Sequence, residues 1–130
     1  MVIDTSAIVA LIEAEPGVEV LAAAIDADER RIVSAVSVLE ASIVLESRRP
    51  TTGRAALDRL LDDLAVEIAA FDADQLALAR EGFRRYGRGR ASKARLNFGD
   101  CCAYALAKSL GEPLLFVGDN FTHTDLIPAL

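Results

Sequence analysis

Met1-Val2-Ile3-Asp4-Thr5-Ser6-Ala7 opens the chain, and its reading decides the fold. Three apolar residues make a short buried strand. An acid ends it, and Thr5 or Ser6 caps a helix that runs to about Glu13. The same strand-to-helix pattern recurs downstream. Pro16-Gly17 breaks the first helix, and a second follows to about Ala27. Arg31-Ile32-Val33-Ser34 reads as a strand leading into a helix from about Ala35 to Ser47. Pro50-Thr51-Thr52-Gly53 marks the next break, before a helix to about Leu64 and a strand at Val66-Glu67-Ile68-Ala69. Asp72 begins a helix reaching toward Tyr86, and Gly87 and Gly89 open a loop that ends near Asn97. The helix from about Phe98 to Leu110 stops at Gly111, and Pro113 starts the last strand, Leu114-Leu115-Phe116-Val117. Strands alternating with helices predict a mainly parallel sheet covered by helices, an α/β sandwich. In such sheets, sites form beyond the carboxyl ends of strands, where Asp4 and Asp119 are expected to lie.

The 130 residues suffice for one domain with a real core. With 52% hydrophobic residues but five Phe, two Tyr and no Trp, that core must be built from Ala, Val, Leu and Ile. The apolar runs reach about six to eight residues, far short of the roughly 18 of a membrane span. The opening residues carry no basic leader, so a cytoplasmic protein is expected. Cys101 and Cys102 are adjacent, which disfavours a disulfide between them, and they read as small core residues in a reducing compartment.

The formal net charge of -6 argues against a nucleic-acid partner until its distribution is considered. Seven of the 14 basic residues fall between positions 80 and 95, namely Arg80, Arg84, Arg85, Arg88, Arg90, Lys93 and Arg95, opposed there only by Glu81. This local basic arm can hold a nucleic-acid backbone. It can equally be a solvated loop or a grip for an acidic partner. Tyr86 and Phe98 flank the arm and could stack on bases, although burial is the default for Phe98.

Four acids stand where an apolar chain should not place them. Asp4 ends the first strand. Glu40 shares the stripe Val36, Leu39, Glu40, Ile43 at i, i+3, i+4 and i+7, which puts it in a core-facing slot or at that stripe's edge. Asp100 opens an apolar helix, where it can also pair with Asn97 as a capping box. Asp119 follows Gly118 and can also be a turn residue. Carboxylates gathered at the ends of buried elements repel one another unless cations hold them. Oxygen ligands without a convergent His or Cys set favour Mg²⁺ or Mn²⁺, whose chemistry includes water attack on a phosphodiester. Thr5, Ser6 and Asn120 are candidates to position waters or phosphate. Asp125 and His123 read as turn or surface residues.

Several stretches together carry a family resemblance. They are the opening Met1–Ala7, Ser37-Val38-Leu39-Glu40-Ala41, Tyr86-Gly87-Arg88-Gly89-Arg90, Leu96-Asn97-Phe98-Gly99-Asp100-Cys101 and Pro113–Phe121. In this order the chain resembles the PIN-domain ribonucleases, and specifically the VapC toxins of type II toxin–antitoxin pairs. The resemblance implies a PIN-like three-layer α/β/α sandwich and a metal-dependent endoribonuclease. It makes Asp4, Glu40, Asp100 and Asp119 the Mg²⁺- or Mn²⁺-binding acids. It further implies an RNA substrate, a homodimer, and neutralisation by a VapB-like antitoxin; the charge pattern itself makes Arg85, Arg88, Arg90, Lys93 and Arg95 of the basic arm the expected grip on that RNA. The chain departs from many members at Ala91-Ser92-Lys93, where they have a histidine, and at Val117, where they have a basic residue. Two rival functions are a haloacid-dehalogenase-like phosphatase, which wants a second acid where Ser6 stands, and a non-catalytic PIN scaffold.

Overall fold

A computed structural model describes residues 1–130. Four short strands, β1 (Val2–Ile3), β2 (Ile32–Ser34), β3 (Glu67–Ala69) and β4 (Leu114–Leu115), form one sheet in the order β3-β2-β1-β4. All three pairings are parallel, with Val2 opposite both Ile32 and Leu114. Six helices connect them: α1 (Thr5–Glu13), α2 (Val18–Asp26), α3 (Ala35–Arg48), α4 (Gly53–Asp63), α5 (Ala73–Tyr86) and α6 (Phe98–Leu110).

The pleat sorts alternate strand residues into two cores. Ile3, Val33 and Leu115 point to one face and pack with Ile8, Leu21, Ile25, Ala41, Leu45 and Leu57 from α1 to α4. Val2, Ile32 and Leu114 point to the other and pack with Ala79, Leu96, Tyr104 and Leu106 under α5 and α6. This is the three-layer sandwich that the alternating sequence predicts. A fully buried Val, Leu or Ile contributes about 1.5–3 kcal/mol, so the six strand residues clamp the sheet between its helices.

Local chemistry sets the element ends. Asp4, rather than Thr5 or Ser6, caps α1, accepting a hydrogen bond from the Ser6 N–H at 2.9 Å. At α6, Asn97 and Asp100 form the anticipated capping box, each side chain accepting from the other's backbone N–H at 2.9 Å. Gly111 closes that helix with φ +66°, a left-handed conformation that disfavours a side chain.

Three expectations need correction. The α3 stripe is not the core face: Leu39 is 61% and Ile43 60% exposed, while Ser37, Ala41 and Leu45 are buried. Apolar residues surround this helix, and the small pair Ser37 and Ala41 is what lets its neighbours approach. Phe98 is 79% exposed rather than buried. The last strand ends at Leu115, so Asp119 lies four residues beyond a strand end instead of at one.

Candidate active site

The strand order changes direction at β1, with β2 on one side and β4 on the other. Chains that leave neighbouring strands toward opposite sides open a crevice beyond their carboxyl ends. Here that crevice is a cleft of about 300 Å³ whose lining includes Asp4, Thr5, Ser6, Glu40, Asp100 and Asn120. Asp4 comes from the end of β1, Glu40 from the second turn of α3 and Asp100 from the first turn of α6. Three distant segments thus deliver three carboxylates to one place.

Each carboxylate is fixed by one of its oxygens. Asp4 Oδ2 accepts from the Ser6 N–H at 2.9 Å and the Ser6 hydroxyl at 2.5 Å. Glu40 Oε2 accepts from the Thr5 hydroxyl at 2.7 Å. Asp100 Oδ2 accepts from the Asn97 N–H at 2.9 Å and the Asn120 amide at 3.0 Å. The other oxygen of each carboxylate has no donor within the protein. Ser6 also accepts from the Val117 N–H at 3.0 Å, which ties the segment after β4 to Asp4.

These charges are costly where they stand. Burial pushes the Asp4 carboxyl up to about 6; the two Ser6 hydrogen bonds oppose this, and the charges of Asp100 and Glu40 add to it. Burial likewise raises Asp100, against the hydrogen bonds of Asn97 and Asn120, while Glu40 raises it further and Arg88 lowers it. Gly99 makes the crowding possible, because a Cβ there would collide with both oxygens of the Glu40 carboxylate.

The donor set suits a hard divalent cation. All three groups offer oxygen, and each has one oxygen held and one free. No three His, Cys, Asp or Glu side chains close on one another enough to enclose an ion by themselves. Mg²⁺ suits such an open set, because it keeps several waters and is bound through one or two carboxylates rather than a protein cage.

Other expected site residues divide. Thr5, Ser6 and Asn120 line the cleft as anticipated. Asp119 does not: its side chain is exposed, its carbonyl serves a turn by accepting from the Thr122 N–H at 3.2 Å, and its neighbour Asn120 reaches the cleft instead. His123 is exposed in that turn. Asp125 has a structural role, accepting from Tyr104, Arg85 and Lys108.

Part of the basic arm is engaged internally. Arg84 pairs with Glu81, Arg85 with Asp125, and the Arg85 and Arg90 guanidiniums lie over the rings of Tyr86 and Phe83. Tyr86 also packs 5.9 Å from Tyr104, so it is committed to the core edge. Arg88, Lys93 and Arg95 form no ion pair. The loop that carries them is pinned at its base, where the Arg88 N–H donates to the Leu96 carbonyl and the Leu96 N–H to the Tyr86 carbonyl, each at 3.0 Å.

Two residues of the cleft escaped the sequence reading. Arg48 lines it from the end of α3 and Glu15 from the turn after α1. Arg48 follows Glu40 and Val44 at intervals of four, so helical spacing was the signal that could have found it. A larger groove of about 760 Å³ lies between α5 and the start of α6, lined by Phe71, Phe83, Phe98, Cys101 and Cys102. Its only acid, Glu81, is paired with Arg84. Burial pushes both thiols there up to about 11, which disfavours the nucleophilic thiolate. The smaller cleft is thus the one that gathers carboxylates with no ion-pair partner in the chain.

Comparison with known proteins follows the same lines. The family model of the PIN domain matches residues 1–126. Ribonuclease VapC42 of Mycobacterium tuberculosis is 48% identical over 130 residues, covering 99% of this chain and 98% of that protein. Among solved structures, VapC20 of M. tuberculosis, a Sarcin-Ricin loop cleaving toxin, superposes with a TM-score of 0.74 at 17% identity, covering 98% of each chain. VapBC2 from Rickettsia felis, solved bound to a DNA fragment from its promoter, gives 0.73 at 16% identity over 98% of this chain and 95% of that one.

Proposed function

We propose that this chain, which belongs to the PIN-domain family and within it to the VapC ribonucleases, uses Asp4, Glu40 and Asp100 to hold Mg²⁺ or Mn²⁺ and hydrolyse RNA phosphodiester bonds. The observation that carries this reading is the convergence of three carboxylates from three elements, each with one oxygen tied and one free. A bound divalent cation supplies water activation and stabilises the charge that develops on the phosphate oxygens.

The protein's own residues do the rest. Ser6, Thr5 and the α6 capping box fix the carboxylates, so little reorganisation remains when substrate arrives. Arg48 at one side of the cleft and Arg88 near Asp100 offer guanidiniums to the phosphates flanking the cut. Phe98, exposed beside the Asn97 cap, offers a ring on which an unpaired base can stack. Lys93 and Arg95, free of ion pairs, extend the path for the RNA backbone. The two buried free thiols suit a reducing cytoplasm.

A homodimer belongs to this reading. The exposed Leu39 and Ile43 on α3 are apolar surface that a second copy would cover. A VapB-like antitoxin is the partner that would silence the cleft, by analogy with a structural neighbour, a toxin–antitoxin complex from Klebsiella pneumoniae. The phosphatase alternative lacks its second acid, since Ser6 stands there and its hydroxyl is spent on Asp4.

The test is cleavage of RNA by purified protein with Mg²⁺, compared with Asp4→Asn and Asp100→Asn. Both variants should retain the fold and lose cleavage. Full activity in both would refute the assignment.

A further inference from the structure

The segment between β4 and the last turn reaches the cleft twice. Its Val117 N–H binds the Ser6 hydroxyl that holds Asp4, and its Asn120 amide binds the oxygen of Asp100 that Asn97 also holds. Both Asp119 and Asn120 are exposed, but only Asn120 lines the cleft and bonds to Asp100, while the Asp119 carbonyl accepts within the turn. From this segment, therefore, the cleft receives a neutral donor and not the acid beside it.

We propose that Asn120 is a positioning residue for the divalent cation: by donating to Asp100 Oδ2 it presents the other carboxylate oxygen, in a three-acid site from which Asp119 is excluded. The proposal rests on the metal-dependent reading above and names which neighbour of Gly118 serves it. An amide suits the place physically. A carboxylate at position 120 would sit against Asp100 Oδ2 and repel it, whereas the amide N–H neutralises part of its charge without a cation. Orienting donors of this kind typically govern metal affinity through the ligand that they hold.

The experiment is calorimetric titration of the metal-free full-length protein with Mn²⁺, on wild type and on Asn120→Ala, Asn120→Asp, Asp119→Asn and Asp4→Asn, each checked by thermal melting. Asn120→Ala is expected to weaken Mn²⁺ binding roughly 10- to 100-fold, the usual cost of removing a partner that orients a ligand. Asp119→Asn should leave it unchanged. Asn120→Asp should lower the melting temperature of the metal-free protein, because it removes the donor and sets a second negative charge against Asp100 Oδ2. Weakening by Asp119→Asn with an unaffected Asn120→Ala would overturn the proposal. Should the alanine variant fail to fold, the near-isosteric Asn120→Leu, which also lacks the donor, takes its place: weaker Mn²⁺ binding supports the proposal and unchanged binding overturns it. Failure of the underlying reading looks different: wild type and Asp4→Asn would then bind Mn²⁺ alike or not at all.

Discussion

Asp4 and Asp125 are two carboxylates of one chain placed in opposite circumstances. Asp125 sits near the edge of α6, where Tyr104, Arg85 and Lys108 donate to it at 2.9, 3.0 and 3.3 Å. Burial opposes its ionisation there too, but those three partners outweigh it and hold the carboxyl below its usual range. Asp4 is more deeply buried, its only donor residue is Ser6, and Asp100 and Glu40 add negative charge beside it. One charge is balanced inside the protein and serves the fold. The other is left unbalanced, and a titratable group so perturbed in a cleft marks a candidate functional site.

Removing the unbalanced charge should cost the most activity and the least structure. Asp4→Asn is expected to lower Mg²⁺-dependent RNA cleavage by more than about 100-fold, beyond the usual effect of losing a residue that only supports a ligand. The fold should survive, because Asn caps a helix about as well as Asp. Gel-based cleavage with circular dichroism checks both halves, and a variant that cuts normally would erase the contrast between the two acids.

The same contrast has a pH signature in the metal-free protein. The Asp4 carboxyl stands near 6 in the folded state against 3.8 unfolded, so the folded state holds its proton over that interval. Its contribution is therefore full below about pH 4 and is lost as pH rises through about 6, a change of up to about 3 kcal/mol for two pH units. Raised Asp100 adds in the same direction. Denaturant titrations at pH 4 to 7 should show this fall in wild type and a smaller one in Asp4→Asn; saturating Mg²⁺ should reduce it.

Asp125→Ala should do the reverse of Asp4→Asn. It strands the Tyr104 hydroxyl and two cations, and the partly exposed site limits the expected loss to about 1–2 kcal/mol of stability. Urea unfolding measures it, and a drop in cleavage without loss of stability would place Asp125 with the cleft instead. The smallest effect is expected from the arm. Replacing Arg88, Arg90 and Lys93 by Ala should weaken RNA binding and flatten its salt dependence, by about 0.7 in logarithmic slope for each single-strand phosphate that the arm no longer neutralises. Binding isotherms across a salt series would show it, and an unchanged slope would assign the arm to a protein partner.

Much of the scaffold was legible along the chain because the signals are local. Asn97, Asp100 and Gly111 mark α6 by capping chemistry alone, and its bounds, Phe98 to Leu110, agree with the sequence reading. Alternating strand and helix patterns predicted a parallel sheet, and with it the strand-end position of Asp4. The α3 surface was not legible, since apolar residues lie all round that helix and period alone cannot say which side meets the core. Phe98 misled for a related reason: its side chain is apolar, but the turn that presents Asp100 turns Phe98 outward.

By itself, then, the sequence determined the layered α/β order, the capping of α6, and the presence of acids too costly to be decorative, because each follows from neighbours a few residues apart. Which acids meet was decided only by the tertiary structure. Asp4, Glu40 and Asp100 lie far apart along the chain, and their meeting depends on where β1, α3 and α6 cross and on the bare backbone of Gly99. The side of the final turn facing the cleft was settled the same way, by the Ser6–Val117 and Asn120–Asp100 hydrogen bonds, which span 111 and 20 residues.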